Sequence, residues 1–210
     1  MRSETVIRHG AEGFAGMHKA GRLAAEVLDM ITPYVIAGAS TEHLDRLCHD
    51  YILAHGATPA PLNYKGFPKS TCISLNHVVC HGIPGPKTLR DGDILNIDIT
   101  VILDSWYGDT SRMFYVGEPS IKAKRLTEVT YDCLMRGIDV ARAGNTLGDI
   151  GHAIQSHAES CRFSQQYILS EVIPCSHHPL AIKPPVNYHS HHEICRRNPA
   201  NRRWRLKLPD

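Results

Sequence analysis

The sequence predicts a mixed α/β (α+β) protein in which two helices, a block of antiparallel strands and two further helices follow in chain order. Three observations predict it. Apolar residues recur at helical spacing over residues 12–35 and again over 41–56. The chain then switches to strand-like runs, ILNIDITVIL and GDTSRMFYV, with the turn-forming pair Asp104-Ser105 between them. Helical spacing returns over 121–154, so the order helix, helix, strands begins a second time, as in a pseudo-twofold fold.

The first helix is read from Glu12 to Val35, on the stripe Met17, Ala20, Ala24, Val27, Leu28 and Ile31, with Pro33 marking its end. Ala37-Gly38-Ala39 is a loop. Thr41 is the expected N-cap of a second helix, whose stripe is Leu44, Leu47, Cys48, Tyr51 and Ile52 and which Gly56 closes. His43, His49 and His55 are expected at the surface. Ala57 to Pro68, rich in Pro, Asn and Gly, is a loop of the kind that carries binding residues. Within and beside it, Lys65 and Lys69 fit either solvated charges or peptide contacts. Cys72 to Cys80 reads as a strand, His81-Gly82-Ile83-Pro84 turns the chain, and residues 87–93 form a polar turn into the hairpin. Ser120 is expected to cap a third helix to about Arg142, with Ile121, Leu126, Val129, Cys133, Leu134 and Ile138 inward. Thr146 or Asn145 begins a fourth, with Leu147, Ile150 and Ile154 inward.

The composition bounds the function. With 210 residues and 42% hydrophobic content, the chain has enough for one sizeable core or two half-domains. The first residues, MRSETVIRHGAEGF, have no apolar core of a signal peptide, and no run of about 18 apolar residues suggests a membrane span. Seven cysteines fit reduced thiols in a cytosolic protein, and Cys72 and Cys80 lack the CxxC spacing of a structural zinc site.

The hairpin carries the chemistry. If Asp104-Ser105 form its turn, Asp98 faces Ser111 and Asp109 faces Thr100. Side chains alternate along a strand, so both acids then fall on one face, diagonal to each other. Moving the turn to Leu103-Asp104 would pair them directly, and half that shift would separate them. Two carboxylates on one face repel unless a shared proton or a divalent cation offsets the charge. A solvated strand face is the plain alternative. Against it, Asp98 sits between Ile97 and Ile99, where an uncompensated acid is costly.

CHGIP, DGDILNIDIT and GDTSRMF, in this order and spacing, resemble the type I methionine aminopeptidases, and the similarity runs from about Glu12 to about Ser164. The resemblance implies the pita-bread fold, a pseudo-twofold sandwich of antiparallel strands and helices around a two-metal centre. It implies that Asp98 and Asp109 hold metal and that His81 contacts substrate near the scissile bond. It places Tyr64, Phe67 and Cys72 in the pocket for the methionine side chain. From the residues alone, Tyr64 and Phe67 would be ordinary packing residues and His81 a histidine before a turn, although Gly82 permits close backbone approach beside it. The implied cofactor is two divalent ions among Co, Mn, Fe and Zn, since carboxylate-rich sites choose weakly between them. The implied activity is removal of the initiator methionine from nascent polypeptides, at or near the ribosome, with small-to-medium residues following the methionine. A cytoplasmic monomer with no nucleic-acid or membrane partner is expected.

The last part of the chain differs. Residues 1–164 form the aminopeptidase-like region, and residues 165–210 an unmatched tail. All 16 glycines lie at or before Gly151, whereas a 59-residue segment of ordinary composition holds about four. The family's five metal ligands are two aspartates, one histidine and two glutamates, and only the aspartates are matched. The CGHG-like strand that carries the histidine is missing. Cys175-Ser176-His177 is a faint echo of it, while Glu171 and Glu193 have neither the context nor the order of the glutamates. The family's general acid/base glutamate therefore has no position here. The tail can also be read as a metal tract of His177, His178, His189, His191 and His192. A third reading is a phosphate-binding segment of Arg196, Arg197, Arg202, Arg203 and Arg205 with Trp204 for stacking. Neither has a motif behind it, and a disrupted frame or truncated gene accounts for the composition better. The expected function is thus a methionine aminopeptidase of doubtful activity. The alternatives are an inactive remnant or peptide-binding protein of the same fold, and a proline-specific peptidase, which the pocket residues argue against.

Overall fold

The computed structural model describes residues 8–163. Its helices are α1 (Ala11–Ile31), α2 (Thr41–Ala54), α3 (Ile121–Val140) and α4 (Leu147–Ser160). Its strands are β1 (Thr58–Pro59), β2 (Cys72–Leu75), β3 (Ile94–Leu103) and β4 (Trp106–Tyr115). All pairings are antiparallel and β3 is central. β4 runs along one edge of it. β1 and β2 share the other edge, at Val101-Ile102 and at Leu95–Asp98 respectively.

The alternation of β3 decides which face is which. Leu95, Ile97, Ile99, Val101 and Leu103 point to one side, where they meet Leu23, Ala24, Val27, Leu28 and Ile31 of α1 and Leu44, Cys48 and Ile52 of α2 in the main core. Gly108 of β4 belongs to this side, opposite Val101. A Cβ there would lie 2.2 Å from the Ala20 carbonyl carbon and oxygen, so the strand rests directly on the α1 backbone. Arg112 reaches from the same face to Asp29 of α1 at 2.8 Å. The other β3 face, with Asn96, Asp98 and Thr100, turns away from α1 and α2.

Several expected boundaries move, each for a local reason. The first helix stops at Ile31, and Thr32–Tyr34 tightens into a 3-10 turn, as Pro33 dictates. Ser40, not Thr41, caps α2: its Oγ accepts from His43 N at 3.1 Å, while Thr41 is already helical and donates its hydroxyl to Gly85 O. The strand read over residues 72–80 ends at Leu75. Asn76 takes a left-handed backbone (φ 54°), its amide oxygen accepts from Ile94 N, and its amide nitrogen donates to Asp93, so it turns the chain off the ladder.

Ser120 caps α3 as expected, and Thr146 rather than Asn145 caps α4, in a capping box with Asp149. The inward faces of these helices are narrower than their apolar spacing suggests. Val129 and Cys133 of α3 pack on Ile154 and Ala158 of α4 in a second, smaller core. Gly137 lets Ile154 come close enough that a Cβ would lie 3.0 Å from it. Ile121, Ile138 and Leu147, all expected inside, are 88%, 55% and 58% exposed. Ile121 is the first residue of α3, and Ile138 is turned by about 100° from Gly137, the position that faces Ile154.

Cys48 of α2 is fully enclosed in the main core, and burial pushes its thiol up from an ordinary value of 9.0 to about 12. The unfolded chain therefore loses this proton first. The stabilisation from keeping the thiol neutral is whole below pH about 9 and is lost as pH rises toward 12. The thermal midpoint of the native chain is expected to fall more steeply above pH 9 than that of Cys48→Ala. Parallel curves would remove the thiol as the cause.

Candidate metal centre

The hairpin has the expected register. Asp104 and Ser105 both adopt positive φ, 50° and 69°, the conformation of a two-residue turn whose twist matches its strands. Asp98 consequently pairs with Ser111 and Asp109 with Thr100. The two acids lie diagonal to each other on the face of the sheet turned away from α1 and α2. Asn96, Thr100, Ser111 and Met113 share that face, and Asn96 Nδ2 donates to Ser111 Oγ at 3.3 Å. Sequence reasoning named Thr100 and Ser111 only as the pairing partners of the acids and did not name Asn96 or Met113, although strand alternation places all four beside the acids.

β2 extends the face. Cys72 pairs directly with Asp98, and Ser74 with Asn96. Both are buried, and neither belongs to the helix-side core that takes Ile73 and Leu75. The His81 turn is fastened to the outer edge of β2. Ile73 N donates to Gly82 O at 2.9 Å, and Gly82 N donates to Ser74 Oγ at 3.2 Å. A Cβ on Gly82 would sit 2.1 Å from Ile73 O, so only glycine permits this contact. His81 itself has a left-handed backbone (φ 53°) and an exposed side chain. Non-glycine residues in that region are uncommon, and strain of this kind concentrates at functional sites.

Tyr64 and Phe67 occupy a separate turn. Asn63 N donates to Phe67 O at 2.8 Å and Phe67 N to Tyr64 O at 2.9 Å, so the turn closes on its own backbone. Tyr64 is 43% exposed, with the Lys65 ammonium 5.6 Å from its ring centre. The ladder thus brings Asp98, Asp109 and Cys72 together, and the Gly82 contact ties the His81 turn to their edge. Tyr64 and Phe67 are held by a different device. His177 and the other tail residues lie outside the described residues.

The acids suit a divalent cation. Both are half-buried, and the Oδ1 atom of each is enclosed and accepts no hydrogen bond, although both residues make other interactions. Two carboxylates on one strand face offer hard oxygen donors to a metal of the Mg, Mn or Co type. Among the described residues no cluster of three or more His, Cys, Asp or Glu is arranged to hold a metal. Across the open face α3 contributes Thr127, Thr130 and Tyr131 to a cleft that also includes Asn96, Ser111 and Met113. No described helix is long and apolar enough to cross a membrane.

An antiparallel sheet backed by helices, with two aspartates on its open face, is a frame on which carboxylates could hold a metal. The chain belongs to metallopeptidase family M24, whose model matches residues 15–192. That match extends beyond residue 164, into the segment the sequence reading set apart. Among known proteins the chain is similar to the methionine aminopeptidase of Rickettsia prowazekii, at 61% identity over 160 residues, covering 76% of this chain and 62% of the relative. It is similar to that of Escherichia coli K12 at 53% over 155 residues, covering 73% and 59%. The crystal structure of the Rickettsia prowazekii enzyme superposes with a TM-score of 0.75 at 60% identity, covering 76% of this chain and 64% of that one. The Thermotoga maritima methionine aminopeptidase superposes at 0.71 with 29% identity, covering 74% and 63%. The expected pita-bread architecture is therefore the fold of this chain, which spans about three fifths of the length of these relatives.

Proposed function

We propose that this chain carries the aspartate half of a methionine aminopeptidase centre, in which Asp98 and Asp109 hold divalent metal for hydrolysis of an N-terminal methionine. The observation that carries the reading is the hairpin register, which sets the two carboxylates diagonally on one face. The likeness to methionine aminopeptidases supports the substrate class. When bound, the metal supplies Lewis acidity for cleavage of the amide. His81 would hydrogen-bond at the reacting amide. Cys72, beside Asp98, would form the floor of the methionine pocket, with Tyr64 and Phe67 supplying a wall of aromatic surface. Two ions drawn from Co, Mn, Fe and Zn, nascent polypeptide N-termini as substrate, a cytoplasmic setting and a single copy as the working unit belong to the same proposal.

A second reading has an observation of its own. The described residues include no group of three or more His, Cys, Asp or Glu arranged to hold a metal, which suits a protein that binds a peptide or a partner without turnover.

Metal binding at the hairpin is tested directly by thermal unfolding of the 210-residue chain with and without Mn(II). A ligand that binds only the folded state raises its stability by mass action. The native chain is expected to gain a concentration-dependent rise in midpoint that Asp98→Asn and Asp109→Asn each abolish. An equal rise in the double variant would place the metal elsewhere and end the reading.

A further inference from the structure

Asp45 lies on α2, far from the hairpin in sequence and outside every site residue discussed above. It is only 6% exposed, and buried acids need compensation. One oxygen supplies it. Oδ1 accepts from Ser70 N at 3.0 Å, from Thr71 N at 2.9 Å and from the Thr71 hydroxyl at 2.8 Å. Ser70 Oγ has a second tie to α2, through His49 Nδ1 at 2.8 Å. Ser70 and Thr71 are themselves buried, and the next residue is Cys72, the first of β2 and the direct cross-strand partner of Asp98. Charge-assisted hydrogen bonds are stronger and stiffer than neutral ones, and three on one oxygen fix two successive residues.

The geometry points to Asp45 as a positioning residue that sets the start of β2, and with it Cys72, against Asp98 in the metal-binding face. This rests on the proposed role of Asp98 and Asp109 and adds to it a link from the helix layer to the site wall. The three bonds of Asp45 end on Ser70 and Thr71. The effect travels along the backbone from Thr71 to Cys72, where supporting residues of a site commonly act.

The test is paramagnetic broadening of backbone amide resonances by substoichiometric Mn(II), in the full 210-residue chain. In the native chain the amides of Asp98, Thr100, Asp109, Ser111 and Cys72 are expected to broaden together. Asp45→Ala is expected to keep the broadening at the four hairpin positions and to weaken it severalfold at Cys72, because the effect falls with the sixth power of distance, while Asp45→Asn, whose side-chain oxygen still accepts, restores it. Thr71→Val removes a single hydroxyl bond and is expected to weaken the Cys72 broadening in part. It decides the matter should Asp45→Ala fail to fold. A general loss of stability would not separate Cys72 from the hairpin in this way. Cys72 broadening that is unchanged in Asp45→Ala, or in Thr71→Val where only that variant folds, would overturn the positioning role alone. No broadening at Asp98 and Asp109 in the native chain would overturn the metal reading and this inference with it.

Discussion

Gly108→Ala is expected to destabilise the chain by about 3–5 kcal/mol, because the added methyl meets helix backbone rather than a movable side chain. The added carbon would stand 2.2 Å from the carbonyl carbon and oxygen of Ala20 and 2.5 Å from the nitrogen of Gly21. These are backbone atoms in the middle of α1, held by the helix's own hydrogen bonds, so no rotamer change relieves the overlap. α1 and β4 must separate, and the separation opens the core formed by Val27, Ile99 and Val101. Gly21 is the matched control. It lies at the same crossing, but a Cβ on it meets nothing within 4 Å, so Gly21→Ala is expected to gain about 0.5–1 kcal/mol from helix propensity. Urea unfolding of the two variants measures both. The functional consequence follows from position: Gly108 immediately precedes Asp109, so a displaced β4 also displaces one of the two acids. Gly108→Ala is expected to lose the Mn(II)-dependent rise in midpoint even where it remains folded. A cost below roughly 1 kcal/mol would show that the helix and strand are not rigidly seated on each other.

How much of this was legible in the sequence depends on the range of the interaction. The hairpin was legible up to the choice of turn because its determinants are local: once Asp104-Ser105 is the turn the register is fixed, and alternation then fixes the face of Asp98 and Asp109. The main helices were legible for the same reason, with errors of a few residues where Pro33 and Ser40 decide the ends. The strand over residues 72–80 was not, because what stops it is Asn76 bonding to Asp93 and Ile94, a contact that exists only once β2 and β3 are side by side. The inward face of α3 was misread because Ile121 and Ile138 fit an apolar stripe, whereas the buried set is decided by the path of α4 across Gly137. Asp45 gave no signal at all. An acid beside Leu44 reads as an ordinary interruption of a stripe, and its three donors come from residues 25 and 26 positions away. The resemblance to the family pointed to the acids and His81, but it is the Gly82 contact with Ile73 that shows how the His81 turn is held to the sheet.

The purified 210-residue chain is expected to show little or no methionine aminopeptidase turnover. Amide hydrolysis by a two-metal centre needs both ions held in fixed geometry, and a pair of carboxylates leaves most coordination positions of two ions to water. Metal so held exchanges readily and is poorly oriented toward a substrate carbonyl, and misplacement of about 1 Å can cost a factor on the order of 100 in rate. Of the five ligand positions that the resemblance implies, the sequence matches two. The surface next to the site is open as well. Tyr131 and Met135 of α3 are 61% and 42% exposed on the side that carries Ile138, and this apolar surface favours association. Activity is therefore best read across a dilution series, so that self-association is not mistaken for an inactive site. The measurement is cleavage of a Met-Ala-Ser peptide with Co, Mn, Fe or Zn supplied in turn. Robust turnover that a chelator abolishes and that Asp98→Ala eliminates would show that this chain completes its own centre, with the remaining ligands supplied by residues the sequence reading assigned no role.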